Sequence, residues 1–355
     1  MTAPRYASIT TTRTSRWALL GFAIAVALLA AAPALVPRAY IQDLLLMFLL
    51  IIISQCWNLL AGFAGLISVG QQAFVGLGGY GLFALVVTLG FDPLAALPLA
   101  AVIVALIAVP VGFVVFRMQG AYFAVVTWVV AEVFRLLLAQ WNALGGGTGN
   151  SLPRSATSDM FGIDLVGKLM HMRGAVARET IIYWIALAVM IVAIAIVYRL
   201  LRSRFGLALA AIRDSDVAAE SVGVNITGTK FVIYVLAATG AGIAGALYFL
   251  QQGRISPDAA FSVLDWTAYV IFIVVIGGIG TIEGPILGTV IFVVLQQSLS
   301  GFGPWYLILL GALGIGVMLT APKGLWGLFS ARTGIHLFPT RRRLMRLEDS
   351  AAEES

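Results

Sequence analysis

The sequence carries little charge. Only 11% of its 355 residues are charged, whereas 61% are apolar, and the mean hydropathy is +1.00. Soluble domains average about 25% charged residues, and a soluble chain of this size could not bury so much apolar surface. The composition therefore excludes a soluble protein and predicts a polytopic α-helical membrane protein. A membrane β-barrel is also excluded, because barrel strands are short and alternate apolar with polar residues.

Cysteine and histidine are scarce as well. Cys56 is the single cysteine, so it has no intrachain disulfide partner, and His171 and His336 lack ligand-spaced partners for a metal. Residues 162–169 resemble a P-loop, but Leu169 stands where magnesium binding needs Ser or Thr. No Ser/His/Asp or Cys/His arrangement is present. We therefore expect no catalytic residue, no metal and no cofactor in this chain.

Ten apolar runs reach or approach the roughly 20 residues that a helix needs to cross a bilayer. They lie at 17–36, 41–61, 65–89, 94–116, 121–139, 181–199, 230–251, 264–280, 284–300 and 304–320. The glycine-rich third run and the short eighth and ninth runs are the weakest. The sequence thus predicts a fold of about ten transmembrane helices, with an N-terminal segment 1–16, a transmembrane domain 17–320 and a tail 321–355.

Lysine and arginine are distributed unequally between the two sides of the predicted helices. With the N-terminus in the cytoplasm, 15 of the 22 basic residues lie in cytoplasmic segments, 6 lie outside, and Arg135 lies within a run. By the positive-inside rule, both termini are cytoplasmic, the 140–180 loop is extracytoplasmic and the 200–229 loop is cytoplasmic. The net charge of +6 therefore reflects orientation and contact with membrane lipids, and it does not indicate nucleic acid.

Residues 202–230 interrupt the apolar sequence with a charged, alanine-rich stretch. Apolar residues recur in it at helical spacing, at Phe205, Leu209, Ile212 and Ala219. Capping residues at 213–216 and a helix stop at Gly223 predict two short helices, about 205–213 and 216–222, joined by a sharp turn. Such a pair either lies on the bilayer surface or docks on a cytoplasmic partner, and the pattern alone does not separate the two.

Polar residues within the apolar runs indicate functional or structural contacts. Glu132 and Arg135 lie three apart on one helix face, either as a structural ion pair or facing a pore or a partner. Glycines crowd residues 65–81 and would weaken a helix, so we expect a broken or re-entrant segment that lines a transport pathway. We expect the same of the turn at 277–288. The pathway candidates are Ser68, Gly70, Gln71, Gln72, Phe74, Gly78, Tyr80, Glu132, Arg135, Gly277 and Gly278.

Four segments, in order, resemble one family of transport proteins. SRFGLALAAIRDSDVAAESVGVN (203–225) resembles the EAA coupling loop of ABC importer permeases, in the form found in branched-chain amino acid permeases of the LivM type. GLISVGQQAFVGLGGY (65–80) and AYFAVVTWVVAEVFRL (121–136) resemble that family's third and fifth spans. GGIGTIEGPILG (277–288) resembles its late glycine motif. Together these segments cover most of residues 40 to 320.

The resemblance implies a type II ABC importer-like bundle and a permease subunit in a bacterial cytoplasmic (inner) membrane. Leu, Ile and Val would be the cargo. The expected partners are a second homologous permease, two cytoplasmic ATPase subunits that bind ATP and magnesium, and an extracytoplasmic substrate-binding protein. The residues expected to couple to the ATPases are Arg204, Phe205, Gly206, Arg213, Asp214, Asp216, Ala218, Ala219, Glu220 and Gly223.

Two departures and two alternatives accompany this resemblance. Val217 stands where the general coupling loop has Glu, with Asp216 and Glu220 as neighbouring acids, and Gln71 stands where many relatives have His. Relatives of similar sequence move urea, short amides or organic acids, so the cargo is open. A self-sufficient secondary transporter or channel is the alternative from another class. It would need intramembrane ion-coupling groups, of which only Glu132 lies well inside a run.

Overall fold

The computed structural model describes residues 6–9, 13–171, 173–303, 305–333, 337–338 and 343–346, and these are almost entirely helical. The helices are α1 (Arg13–Leu35), α2 (Arg38–Asn58), α3 (Gln71–Phe83), α4 (Pro93–Val115), α5 (Ala121–Ala139), α6 (Arg154–Ser158), α7 (Ile163–Met170), α8 (Gly174–Arg202), α9 (Arg204–Asp214), α10 (Asp216–Ser221), α11 (Ile226–Gln252), α12 (Pro257–Ala260), α13 (Tyr269–Gly277), α14 (Glu283–Leu299), α15 (Trp305–Thr320) and α16 (Gly324–Thr333). Wider π-helical turns at Leu59–Phe63, Ala84–Thr88 and Leu264–Ala268 extend α2, α3 and α13. Short antiparallel pairs join Tyr6–Ile9 to Arg343–Arg346 and Asn150–Ser151 to Arg254–Ile255.

The prediction of an all-α polytopic membrane protein is confirmed. Eight helices in the described part of the chain are long and apolar enough to cross a membrane. Two shorter apolar stretches, Gly21–Leu35 and Glu283–Leu299, lie where the first and ninth crossings are predicted. The exact count of ten therefore stays a prediction.

Contacts between loops sort the helix ends into two sets. At one end, Arg38 pairs with Glu179, and the Asp92 carboxylate accepts the Phe161 N–H at 2.9 Å. At the other end, Asp216 pairs with Lys230, and a Cβ at Gly280 would lie 3.6 Å from Arg213 Nη1. The loop at 140–173 belongs to the first set and α9–α10 to the second. We call them the outer end and the inner end, after the predicted orientation.

The core of the bundle is α3 packed against α11 and α4. Small residues permit the close approach, since a Cβ at Gly78 would overlap the Gly242 carbonyl and one at Gly245 would overlap the Val75 carbonyl. Such small-residue contacts are how membrane helices gain van der Waals packing without a hydrophobic driving force. The glycines of α3 are therefore sites of close helix packing.

The glycine-rich third run is broken, as predicted, but the break lies before most of its glycines. Residues 64–70 form no helix, and α3 then begins at Gln71, six residues later than the predicted start of the run. Gly76 and Gly79 lie within regular helix, against the rings of Phe261 and Phe249. Attributing these glycines to a broken helix is wrong, because close side-chain packing explains them.

Candidate functional sites

The stretch after α8 folds into the two predicted short helices. Ser203 caps α9 by accepting the Phe205 N–H at 3.2 Å, and Ser215 caps α10 by accepting the Ala218 N–H at 3.3 Å. Side-chain oxygens at these positions satisfy N–H groups that have no partner within the helix. The sharp turn between the helices therefore follows from local sequence.

Gly223 ends α10 in a left-handed conformation, with φ of +83°. The Gly223 N–H donates to the Glu220 carbonyl at 2.9 Å, and the Val224 N–H donates to the Ala219 carbonyl at 3.0 Å. This pair of bonds is a Schellman motif, which satisfies the last carbonyls of a helix and favours glycine. No atom of the described chain lies within 4 Å of a Cβ built at Gly223, so dihedral freedom, and not lack of space, calls for glycine.

The α9–α10 pair has a buried face and an exposed face. Gly206, Leu209, Ile212 and Ala219 are buried. Phe205 is 45% exposed, so it does not share the buried face with Leu209, and Gly206 packs on the Leu201 carbonyl instead. The exposed face carries Arg204, Phe205, Leu207, Arg213, Asp214, Asp216, Val217, Ala218, Glu220, Val222 and Gly223. Val217 and Val222 are 79% and 74% exposed, so the exposed face carries apolar as well as charged side chains.

The α9–α10 pair is connected to the inner end of the bundle by specific contacts. Lys230 of α11 donates to the Asp216 carboxylate at 2.9 Å, and Arg213 lies beside Gly280. The same turn is held from α2, because Asn58 Nδ2 donates to the Thr281 carbonyl and Asn58 Oδ1 accepts the Gly280 N–H, both at 2.8 Å. A displacement of α9–α10 would therefore act on α2, α11 and the α13–α14 turn.

The turn between α13 and α14 is densely packed. Gly277 and Gly278 are both buried, and a Cβ at Gly277 would overlap the Gly284 carbonyl. Gln55 Nε2 donates to the Ile282 carbonyl at 2.6 Å. These contacts give the late glycine motif a packing role, and a place for Gly277 and Gly278 in a transport pathway stays a prediction.

The break at 64–70 lies against α2 and α5, which supply its hydrogen bonds. Trp57 Nε1 donates to the Ser68 carbonyl at 2.8 Å, and the Val69 N–H donates to Thr127 Oγ1 at 3.0 Å. A Cβ at Gly70 would overlap the Thr127 carbonyl. Non-helical backbone at membrane depth is tolerated where protein or a cavity surrounds it. Gly65 and Ile67 stay exposed, so one side of the break faces out of the chain beside α5.

The other pathway candidates of the third run are buried inside the bundle. Phe74 packs edge-on to Tyr234, and Tyr80 stacks on Phe261, with ring centroids 5.6 and 6.1 Å apart. Gln72 accepts a hydrogen bond from Thr267, whereas the Gln71 amide has no partner among the described residues. Ser68, Gly70, Gln71, Gln72, Phe74, Gly78 and Tyr80 are all buried. Their role in transport stays a prediction.

Glu132 and Arg135 form the predicted ion pair on α5, and the structure adds a third member. Arg135 Nη2 lies 2.6 Å from Glu132 Oε1, and Arg135 Nη1 lies 2.8 Å from Oδ1 of Asp258, in α12 at the start of the candidate span Pro257–Gly277. The Glu132 side chain is 43% exposed on a helix that shows most of its surface. Charged side chains in spans seldom face lipid, so this side of α5 indicates a watery cavity or another protein. Asp258 and Thr127 were missed because nothing in the sequence links them to α5 or the break.

No site for a metal ion is visible in the described ranges. No group of three or more His, Cys, Asp or Glu side chains among those residues could hold one. The polar groups gathered here are amides, hydroxyls and one ion-pair triad. Their chemistry suits packing, hydrogen bonding and passage of a solute.

Comparison with known proteins relates the sequence to membrane transport permeases. The family described as "Branched-chain amino acid transport system / permease component" matches residues 39–318. The chain is 28% identical over 344 residues to the "High-affinity branched-chain amino acid transport system permease protein LivM" of Escherichia coli, covering 94% of this chain and 78% of that protein. It is 29% identical over 305 residues to the protein of the same name from Salmonella typhimurium, covering 82% and 71%. No solved structure matches significantly. The chain belongs to the family of branched-chain amino acid transport system permease components.

Proposed function

We propose that the chain is the permease subunit of an ATP-driven ABC importer in a bacterial cytoplasmic membrane, with both termini in the cytoplasm. The observation that carries this proposal is the α9–α10 pair, which is anchored by a buried face and presents an exposed face of mixed apolar and charged residues. A freestanding transporter has no need of such a surface. A permease driven by separate ATPases requires one.

The exposed face of α9–α10 would receive a cytoplasmic ATPase subunit. Val217 and Val222 would supply apolar contacts, and Asp214 and Glu220 would supply exposed carboxylates to basic side chains of the partner. ATP and magnesium would bind to the ATPases and not to this chain. Closure of the two ATPases would push α9–α10, and the Arg213 and Asp216 contacts would pass the movement to the α13–α14 turn and α11.

The exposed side of α5 and the break at 64–70 would border the transport pathway. Glu132 is half exposed there, and Gly65 and Ile67 lie on the outward side of the break that packs on α5. A second, homologous permease would lie opposite this surface, so the two chains together would enclose a path that neither forms alone. In this placement the intramembrane carboxylate of Glu132 faces water or protein and does not face lipid.

The cargo would be Leu, Ile and Val, delivered by an extracytoplasmic binding protein. The names of the two relatives support this choice. A pathway with few charges suits apolar side chains, because most of the selectivity then belongs to the binding protein. Urea, short amides and organic acids are the alternatives that a cargo measurement must exclude.

The proposal is tested by purifying the tagged chain from its native membrane in mild detergent. We expect a second permease and two ATPase subunits to copurify. Proteoliposomes of that complex, with the binding protein added, should take up radiolabelled leucine only when ATP is enclosed on the cytoplasmic side. Uptake by the chain alone, without ATP and with an ion gradient, would overturn the importer and favour the secondary transporter.

Cargo is tested separately on the copurified or neighbouring binding protein. Calorimetric titration with leucine, isoleucine, valine, urea, acetamide and a short organic acid ranks the ligands directly. Tight binding of a branched-chain amino acid supports the cargo proposed here. Tight binding of urea or an amide instead would change the cargo and leave the ATP-driven mechanism standing.

A further inference from the structure

The 140–173 loop contains the helix α7, and two large apolar side chains, one on α7 and one just before its cap, are left exposed. In α7, Ile163 and Val166 are buried. Leu165 is 73% exposed, and Phe161, four residues before it, is 80% exposed. Large apolar side chains this exposed, so close together, mark a surface that contacts lipid or protein.

Two neighbouring helices define the depth of this exposed pair. The Phe161 N–H donates to Asp92 Oδ2 at 2.9 Å, and Asp92 Oδ1 caps α4 at the start of its long apolar run. A Cβ at Gly162 would lie 3.7 Å from Ile181 Cδ1, where the apolar run of α8 begins. Both helices therefore place Phe161 at the boundary between hydrocarbon and head groups at the outer end.

Basic residues accompany the exposed pair. Of the 6 lysines and arginines that the orientation places outside, four lie in this part of the chain, at Arg154, Lys168, Arg173 and Arg178. Lys168 and Arg173 are exposed, whereas Arg178 is only partly so and its Nε is buried. Glu179, the nearest buried acid, is already paired with Arg38. Exposed cations beside an apolar pair at the head-group level complement lipid phosphates.

The same level of the molecule carries other exposed aromatic residues. They are Tyr40, Phe91, Trp141, Phe302 and Trp305, each beside the outer end of a membrane helix. Aromatic side chains collect at the two interfaces of a bilayer. Phe161 continues this belt, which favours lipid over a protein partner as the occupant of the surface.

We propose that α7 is an interfacial helix, and that Phe161 and Leu165 insert into the outer leaflet while Lys168 and Arg173 contact phospholipid phosphates. The 140–173 loop is then anchored in the membrane. It would hold the outer end of the α3–α4 hairpin, through Asp92, at a fixed depth beside the start of α8. This inference is independent of the cargo and of the ATPases.

The experiment measures the depth of single nitroxide labels on the full chain in phospholipid nanodiscs. Labels are placed at Phe161→Cys and Leu165→Cys in a Cys56→Ala background, and collisions with oxygen and with a water-soluble nickel complex are compared. Asp164→Cys, on the same helix, is the control for a water-facing position. Leu106→Cys, exposed in the middle of α4, is the control for lipid contact.

We expect the ratio of oxygen to nickel accessibility at positions 161 and 165 to lie below that at Leu106, as an interfacial depth requires, and to exceed that at Asp164 several-fold. Ratios equal to that of Asp164 would overturn the proposal. Protection from nickel that arises only when the binding protein is added would overturn it too, and would assign the surface to that protein. The two positions are independent, so a folding failure of one variant leaves the other to decide.

Discussion

The α3–α11 contact and the α9–α10 pair both depend on glycine, for opposite reasons. Gly78 lies in regular helix, and a Cβ there would overlap the Gly242 carbonyl. Gly223 has nothing within 4 Å of its missing Cβ, but its φ of +83° is one that other residues adopt at a cost. In the first region glycine gives space to another helix of the same chain. In the second it gives a backbone angle, and the space around it is open.

The two regions also differ in what covers them. Other helices of the same chain cover the α3–α11 contact, whereas one face of the α9–α10 pair is left exposed. The α3–α11 contact is closed on all sides and contributes stability. The α9–α10 pair leaves valines and carboxylates facing outward, and this is the face that the proposed ATPase subunit would cover. Substitutions in the two regions should therefore change different measured quantities.

The largest effect is expected from charging the exposed face of α9–α10. In Val217→Asp/Val222→Asp, two apolar side chains become carboxylates, and covering an unpaired carboxylate with a partner costs on the order of 2 kcal/mol or more in lost hydration. ATP-dependent uptake should fall at least about tenfold, since each 1.4 kcal/mol is a factor of ten. The melting temperature should not change, because both side chains are exposed.

Val217→Ile/Val222→Ile is the matched control, which keeps the surface apolar and should retain uptake. Normal ATP-driven uptake by the double aspartate variant would remove the docking role. The pair would then be helices lying on the bilayer.

The next effect is on stability, at the α3–α11 contact. Gly78→Ala forces a methyl group into the Gly242 carbonyl, and overpacking of this kind lowers the free energy of unfolding by about 1–3 kcal/mol. Gly81→Ala is the matched control on the same helix, because its Cβ would meet only ordinary contacts, 3.7 Å from Ala100 Cβ. Thermal unfolding of detergent-solubilised protein should show a lower midpoint for the first variant alone. Equal midpoints would contradict the close packing of these helices.

A smaller effect is expected at Gly223. A valine held in the left-handed backbone conformation should destabilise the protein by about 1–2 kcal/mol and distort the end of α10. Asparagine tolerates this conformation. Gly223→Val should therefore reduce ATP-coupled uptake while the protein still reaches the membrane, and Gly223→Asn should reduce it less. Equal losses in the two variants would show that size, and not backbone angle, limits this position.

The smallest effect is expected from the triad on α5. Glu132→Gln removes one partner of Arg135 but leaves Asp258, and partly exposed ion pairs contribute only about 0–1 kcal/mol. We expect a modest loss of uptake at an unchanged melting temperature, if Glu132 borders the pathway. Asp258→Asn is the control, since Asp258 is 84% exposed and a weaker partner. Wild-type uptake in Glu132→Gln would show that this carboxylate does not border the pathway.

The capping residues in the sequence predicted helices α9 and α10 well. Ser203, Ser215 and Gly223 each act on backbone groups within a few residues, so their caps and turns can be read without knowledge of the fold. The spacing of apolar residues did not show that Phe205 would be exposed while Gly206 is buried. The chain bends between α8 and α9, and this bend brings Gly206 onto the Leu201 carbonyl.

Contacts between residues far apart in the sequence could not be predicted. Arg135 meets Asp258 across 123 positions, and Asn58 meets the Gly280 turn across 222 positions. The glycines of α3 were visible, but a glycine for close approach and a glycine for a break look the same in one sequence. Only the partner carbonyls on α11 separate the two.

The docking role of α9–α10 is tested most directly by photocrosslinking from Val217. A photoreactive amino acid is incorporated at Val217, and in a parallel sample at Leu106 of α4, and native membranes are irradiated before purification. The account predicts that Val217 crosslinks to an ATPase subunit and that Leu106, exposed at mid-span, does not. Crosslinks from Val217 to lipid alone, in a sample where the ATPase copurifies, would contradict it.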